Sequence, residues 1–215
     1  MNIGQKSADD DLTEGSLVNV DLTCEPPVYV LFALMFQQGF MLRCRLGSTI
    51  REVLCHQYGI KDAYLDGRIN TVFLDGKPVD DVDTARISDG SVLALSASMP
   101  GFAGAALRKG GFYAKMRQGI THAEDPGAAL HSEGFFTLKL FNLVAEELGP
   151  TFLKDGVWLE SKAFEEFFMT RSQATRSKYL KLEVDHQAVD CNALSEEHWS
   201  QKHRFVFFRV TTPAS

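Results

Sequence analysis

Long hydrophobic runs are missing from this sequence. The longest, residues 28–36, has nine apolar residues, well short of the roughly 20 that span a bilayer. The first residues, MNIGQKSADDD, lack the order of a secretory signal, in which basic residues precede an apolar stretch. We therefore expect no membrane association and a cytoplasmic protein.

An excess of positive charge is also missing. The net charge of −6 over 215 residues argues against general nucleic-acid binding, which needs basic side chains to displace counterions from phosphates. The four cysteines, Cys24, Cys44, Cys55 and Cys191, form no C-x-x-C pair, so we expect reduced and mostly buried thiols rather than a disulfide framework. With 45% hydrophobic residues, the chain can bury one large core or two modest ones.

What is present is a regular pattern of short elements in the first half. Residues 28–36 and 40–46 are predicted strands joined by QQG, and residues 49–59 are a predicted helix capped by Ser48 or Thr49 and ended by Gly59. Three Asp-Gly pairs, at 66–67, 75–76 and 89–90, predict turns. Residues 91–96 are a predicted final strand.

This order of strand, strand, helix, short strands and final strand predicts a β-grasp. Three segments carry a resemblance to a known family: GSTIREVLCHQYGI, INTVFLDGKPVDD and ARISDGSVLALSASMPG. They resemble the thiamin- and molybdopterin-type sulfur carriers (ThiS/MoaD-like, ubiquitin-like superfamily) over roughly residues 28–101. The resemblance implies a β-grasp fold and, in the family, a C-terminal Gly-Gly that is adenylated and converted to a thiocarboxylate. Here the chain continues to residue 215, and its Gly110-Gly111 pair is internal.

The second half alternates helical and strand patterns. Residues 136–148 predict an amphipathic helix stopped by Gly149-Pro150, and residues 162–171 predict a helix capped by Ser161. Residues 178–185 and 203–210 predict strands, with a short helix over 196–201 capped by Ser195 between them. The expected fold is α+β: an acidic arm (1–16), a β-grasp domain (17–101), a Gly-rich basic connection (102–133) and a C-terminal α+β region (134–215).

A basic, glycine-rich segment follows the predicted final strand. Between residues 91 and 123 all four charged side chains are basic. Glycines beside Arg and Lys can form an anion-binding nest of backbone N–H groups. The predicted binding residues are Gly101, Gly104, Arg108, Lys109, Gly110, Gly111, Lys115 and Arg117. The alternative is a plain connection, in which a short helical turn ends at Gly110-Gly111 and Phe112, Tyr113, Met116 and Ile120 pack on the core. No Walker or Rossmann glycine spacing is present.

Three functional hypotheses follow. The first is a non-catalytic binding protein that contacts a partner protein or an anionic small ligand through residues 99–117. The second is a latent sulfur carrier, cleaved after Gly111 and activated by an adenylating enzyme with ATP. The third is an enzyme that uses Cys191 and His198, in a region whose H-x4-C-x6-H-x4-H spacing fits no common zinc pattern. We expect no metal, no resident cofactor and no catalytic residues, and the oligomeric state stays open.

Overall fold

The computed structural model describes residues 17–97, 108–109 and 132–213. The expected mixture of helices and strands is confirmed. The chain divides into two compact units: residues 36–149, called the central unit here, and residues 1–35 with 150–215, called the terminal unit. The terminal unit combines residues from both halves of the chain, because strand 17–24 pairs with strands 179–184 and 205–211.

Five strands of the described residues lie in each unit. The strands are β1 (Leu17–Cys24), β2 (Phe40–Arg45), β3 (Thr71–Leu74), β4 (Lys77–Pro78), β5 (Val92–Ser96), β6 (Glu133–Phe141), β7 (Val157–Glu160), β8 (Tyr179–Val184), β9 (Gln187–Val189) and β10 (Phe205–Thr211). The helices are α1 (Val28–Gln38), a π-helix (Glu52–Gln57), α2 (Asp62–Gly67), α3 (Asn142–Asp155), α4 (Ser161–Met169), α5 (Gln173–Arg176), α6 (Ala193–Glu196) and α7 (Trp199–Lys202).

The sheet of the central unit has the order β4-β3-β5-β6-β2. β5 and β6 are parallel, whereas β3 pairs antiparallel with β5, and β2 pairs antiparallel with β6. Side chains alternate along each strand, so one face carries the fully buried residues. These include Val72, Leu74, Leu93, Leu95, Phe136, Leu138 and Leu140. The π-helix covers this face with Val53 and Leu54, and Tyr58 just after it stacks edge-on against Phe136.

Local chemistry explains how this helical segment begins. The Glu52 carboxylate accepts from the Thr49 backbone N–H at 2.8 Å, and Thr49 Oγ1 accepts from the Glu52 N–H at 3.2 Å. This reciprocal pair is a capping box, which satisfies two backbone donors that a helix start leaves unpaired. Of the two predicted caps, Thr49 therefore performs the role.

The strands of the terminal unit pair in the order β7-β10-β1-β8-β9. β1 lies parallel to β10 and antiparallel to β8. Its core is aromatic: Phe208 of β10 lies 5.8 Å from Phe32 and 5.3 Å from Phe164 between ring centroids. The ring centroids of Phe164 and Trp199 lie 5.4 Å apart. The phenylalanine face predicted for residues 162–171 is therefore confirmed as part of the core.

Two predicted elements are wrong in type. Residues 28–36, a predicted strand, belong to helix α1. Every position of that run is apolar, so neither a period of two nor one of 3.6 is visible in it. In the helix, Leu31, Phe32, Met35 and Phe36 are buried, whereas Val30 is 67% exposed.

Residues 136–148, a predicted helix, begin as strand β6, and α3 starts only at Asn142. The predicted stop at Gly149-Pro150 is also wrong, since α3 continues to Asp155. Gly149 instead allows the Phe36 ring to pack directly against the α3 backbone, because a Cβ at this position would lie 2.6 Å from the ring.

The predictions of turns and helix caps are confirmed in part. Asp75-Gly76 does form a tight turn, with φ of 51° and 76° joining β3 to β4. Asp66-Gly67 instead ends α2. Ser161 is the buried first residue of α4 rather than its cap, and the predicted helix over 196–201 is replaced by α6 and α7.

The predicted β-grasp domain at the N-terminus is not confirmed. Its expected first strand is a helix, and the place beside β5 in the sheet is taken by β6 from the second half of the chain. Within the described part of the chain, no helix is long and apolar enough to cross a membrane.

Candidate functional site

The second face of the central unit's sheet carries a trough along β5. The strand register sets side chains in rows on this face: Thr71 beside Ser96 beside Phe141, and Phe73 beside Ala94 beside Lys139. The middle strand contributes only small or medium side chains, Val92, Ala94 and Ser96. The neighbouring strands carry larger side chains on this face, Phe73 on β3 and Phe141 on β6. A hollow therefore lies between them, above β5.

We call this hollow the β5 trough. It has a volume of about 510 Å³, within the size range of sites that enclose small molecules. Its lining residues are Thr71, Phe73, Gly76, Val92, Ala94, Leu95, Ser96, Lys139, Phe141 and Asn142. The lining is mostly apolar, with its polar side chains concentrated near one end.

That polar end is formed by Thr71, Ser96 and Asn142. Thr71 is only 1% exposed, and its Oγ1 has no hydrogen-bond partner among the residues that the structure describes. Ser96, 6% exposed, accepts a hydrogen bond from Asn142 Nδ2 at 3.1 Å. A buried hydroxyl without a partner costs about 1–3 kcal/mol, and Thr71 Oγ1 has almost no surface that an atom in the trough could contact.

Lys139 supplies the charge of the trough wall. It is half-buried and stands on β6 beside Ala94, diagonal to Ser96. Diagonal neighbours in a sheet lie about 7–8 Å apart, within reach of a long side chain. Its stem passes over Gly39, where a Cβ would come within 2.9 Å of Lys139 Cγ. Glycine at that position leaves space for the lysine stem.

Of the eight binding residues predicted from the sequence, Arg108 and Lys109 lie in the described part of the chain. Arg108 donates to the Asn70 side chain at 3.2 Å, and Lys109 Nζ donates to the Leu65 carbonyl at 3.0 Å. Burial lowers the pKa of Lys109. Both cations are thus attached to the central unit. The other predicted residues, Gly101, Gly104, Gly110, Gly111, Lys115 and Arg117, lie outside the described residues.

Lys109 lies near a cluster of carboxylates centred on Arg51. Arg51 contacts Asp62 at 2.8 Å, Asp66 at 2.8 Å and Asp83 at 2.5 Å. The hydrogen bonds from Arg51 lower the pKa of Asp62 and of Asp66. Three carboxylates surround one guanidinium here, so this surface does not favour an anionic ligand. The ion pairs of Arg51 with Asp62 and Asp66 connect the start of the π-helix to α2.

Cys191 and His198, the residues of the enzyme hypothesis, lie in the terminal unit. Burial, and then the Asp190 carboxylate, raise the pKa of Cys191, which disfavours the nucleophilic thiolate. His198 Nδ1 lies 3.4 Å from Glu165. Asp185 and His186 form the turn between β8 and β9, with φ of 46° and 67°. Among the residues that the structure describes, no three His, Cys, Asp or Glu side chains are placed to hold a metal.

The sequence-based prediction missed the β5 trough. The alternation in TVFL and in VLALS indicates two-faced strands, and it places Thr71 with Phe73 and Ala94 with Ser96. The opposite wall could not be found, because Lys139 and Phe141 were assigned to a helix. On a helix they would not stand in register with β5.

The described trough therefore combines two buried hydroxyls, one amide and one ammonium group with an apolar floor. Such a set can bind and orient a small molecule. Searches of protein-family models, of curated proteins and of solved structures found no match to this chain.

Proposed function

We propose that the central unit is a β-grasp in which β6 replaces the strand expected at residues 28–36. Two observations support this. β6 pairs antiparallel with β2, as the partner of a hairpin would, and it lies parallel beside the last strand, β5. A helical segment covers one face of the resulting mixed sheet, as the resemblance to ThiS/MoaD-like carriers implies.

On this unit we propose a non-catalytic binding function, with a small molecule held in the β5 trough. The observation that carries the proposal is the trough itself, a mostly apolar hollow of about 510 Å³ with Lys139 as a charged side chain in its lining. A concave, mostly apolar site with a few polar groups is typical of sites that bind small molecules.

Binding is favoured over catalysis by the chemistry of the lining. The two hydroxyls belong to Thr71 and Ser96, and a hydroxyl needs an adjacent base before it acts as a nucleophile. None of the lining side chains in the described trough is a histidine, cysteine or carboxylate. The groups that are present orient a ligand by hydrogen bonds and charge.

A titration with 1-anilinonaphthalene-8-sulfonate, an apolar anionic dye, tests the binding function. We expect saturable binding to the full chain at one site. Ala94→Phe, which fills the trough floor, should abolish that binding while leaving the circular dichroism spectrum unchanged. Ala188→Phe, at an exposed position of β9, is the matched control and should bind as the unchanged protein does. Equal binding by both variants would refute the trough as the site.

The basic segment over residues 99–117 stays a second proposed contact surface, for a partner protein or an anionic ligand. It is supported by the four basic side chains between residues 91 and 123 and by the attachment of Arg108 and Lys109 to the central unit. Neutralising Lys115 and Arg117 together would weaken a partner that uses this surface, without changing dye binding in the trough.

The latent sulfur carrier is the alternative, and Gly110-Gly111 is the feature that motivates it. Cleavage after Gly111 would create the glycine carboxylate that an adenylating enzyme needs. The intact mass of the protein isolated from its own cells tests this directly. A fragment ending at Gly111 with the mass increase of one sulfur replacing one oxygen would support the carrier, and a full-length mass alone would exclude it.

A further inference from the structure

We propose that residues 190–202 form a strap that opens and closes over the aromatic core of the terminal unit, with the Glu165 carboxylate as its latch. The strap joins β9 to β10 and contains the short helices α6 and α7. It belongs to the terminal unit, so the inference is independent of the β5 trough and goes beyond the proposed binding function.

The strap is a separate segment in its backbone hydrogen bonding. In the part of the chain that the structure describes, its backbone-to-backbone hydrogen bonds all run within residues 190–203. Glu197, for example, donates to the Ala193 carbonyl at 3.1 Å, and His203 donates to the Trp199 carbonyl at 2.9 Å. The strap can therefore move away from the unit as a whole without breaking a hydrogen bond of the sheet.

Two buried apolar side chains hold the strap against the unit. They are Leu194 of α6 and Trp199 of α7, and both short helices pack chiefly on α4. The Trp199 ring stands edge-on to Phe164, which in turn packs against Phe168 and Phe208. Opening the strap would uncover Phe164, and with it the edge of this aromatic core.

The latch is a single carboxylate on α4. One oxygen of Glu165 accepts from the Ser200 N–H at 3.0 Å and from Ser200 Oγ at 2.7 Å, and the other lies 3.4 Å from His198 Nδ1. The hydrogen bonds from Ser200 lower the pKa of Glu165, so the carboxylate is charged and these bonds are charge-assisted, which makes them roughly twice as strong as neutral ones. Trp199 lies between the two residues that Glu165 contacts, so the latch also positions the indole ring.

The closed arrangement carries a cost that opening removes. Trp199 Nε1 is buried and has no hydrogen-bond partner among the described residues. A buried donor without a partner destabilises the closed form, whereas water would accept its proton in the open form. A segment with few buried anchors and its own hydrogen bonds opens locally while the rest of the fold stays intact. Glu165 thereby controls how often the aromatic core is accessible from solvent.

Hydrogen–deuterium exchange of the full chain, followed by mass spectrometry, tests the strap. In Glu165→Ala we expect peptides within 191–202 to exchange at least about tenfold faster, the effect of losing one hydrogen bond to a charged group. Peptides of β1 and β10 should change by less than about twofold. Glu166→Ala is the matched control, because Glu166 is exposed on the same helix and contacts only Lys162, at 4.0 Å, among the ion pairs of the described residues.

Two further variants separate the latch from a general loss of stability. Ser200→Ala removes the hydroxyl but keeps the N–H, so it should accelerate exchange of the strap less than Glu165→Ala does. Combined with Glu165→Ala it should add nothing further, because the hydroxyl acts through that carboxylate. Glu165→Gln keeps an acceptor for the Ser200 N–H, should give an intermediate increase, and serves if the alanine variant fails to fold.

Three results would overturn the inference. If the strap of the unchanged protein exchanges as slowly as β1 and β10, it opens only when the unit unfolds. If Glu165→Ala accelerates the strap, β1 and β10 equally, the variant destabilises the whole unit and no separate strap exists. If Glu165→Ala and Glu166→Ala exchange alike, Glu165 is not the latch.

Discussion

Thr71 carries a polar group inside the central unit. Its hydroxyl is buried and has no hydrogen-bond partner among the described residues, so it destabilises the folded protein. Valine has nearly the same shape and carries no polar atom.

We therefore expect Thr71→Val to raise the free energy of unfolding by about 1 kcal/mol. Urea unfolding measures this change. Thr137→Val is the matched control, because Thr137 is half-exposed on β6. If Thr71→Val were less stable than the unchanged protein, the Thr71 hydroxyl would have a hydrogen-bond partner and the prediction would be wrong.

Arg51 gives a prediction for the dependence of stability on pH. Its hydrogen bonds lower the folded-state pKa of Asp62 and Asp66. A carboxyl whose pKa is lowered by folding stabilises the protein above its unfolded value of about 4. That contribution is lost as the pH falls through the lower folded value, because both states then bind the proton.

In Arg51→Met the acid-dependent part of this contribution should be missing. We expect the variant to be less stable than the unchanged protein at pH 7 and the two to converge between about pH 4 and pH 2. Thermal unfolding across this range measures the difference. Arg45→Met, which replaces an exposed arginine of the central unit, is the control, and its stability should show the same dependence on pH as that of the unchanged protein. A constant gap between Arg51→Met and the unchanged protein at every pH would contradict the assignment.

At the scale of elements, β6 decides the architecture of the central unit. It pairs with both β2 and β5, and its inward positions, Phe136, Leu138 and Leu140, are fully buried. The outward positions of the same strand, Thr137, Lys139 and Phe141, are half-exposed. This alternation belongs to a strand, whereas the sequence spacing favoured a helix.

Substitutions along β6 should therefore alternate in their effect. We expect Leu138→Ala to cost about 2–5 kcal/mol of unfolding free energy, because it leaves a cavity in a packed core. Thr137→Ala, the next residue toward the N-terminus, should change it by less than about 1 kcal/mol. Urea unfolding curves of the two variants measure the difference. Similar losses at both positions would be inconsistent with the strand.

Local signals in the sequence were sufficient for some elements and not for others. Thr49 with Glu52 marks a helix start within four residues, and Asp75-Gly76 marks a tight turn by itself. Such devices act between close neighbours in the sequence. Residues 28–36 and 136–148 carry no such device, and their type depends on which distant strands cover them. The trough was missed for the same reason, since one of its walls comes from β6.

At the scale of the whole molecule, each unit contains strands from both sides of Gly111. In the terminal unit β1 pairs with β8 and β10, and in the central unit β2 and β5 pair with β6. Two fragments produced by cleavage at Gly111 would therefore share the cores of both units. This affects the carrier alternative, because a processed carrier would keep its C-terminal fragment.

A specific protease site inserted between Gly111 and Phe112 tests this arrangement. After complete cleavage, we expect both fragments to elute together in gel filtration at the volume of the uncut protein, because separating them would expose the buried faces of β5 and β6. Concentrated guanidinium chloride should separate them, and the uncut protein with the same insertion is the control. Separation without denaturant would contradict the shared cores. Continued association would mean that any chemistry at a new Gly111 carboxylate takes place on a protein that retains both units and the β5 trough.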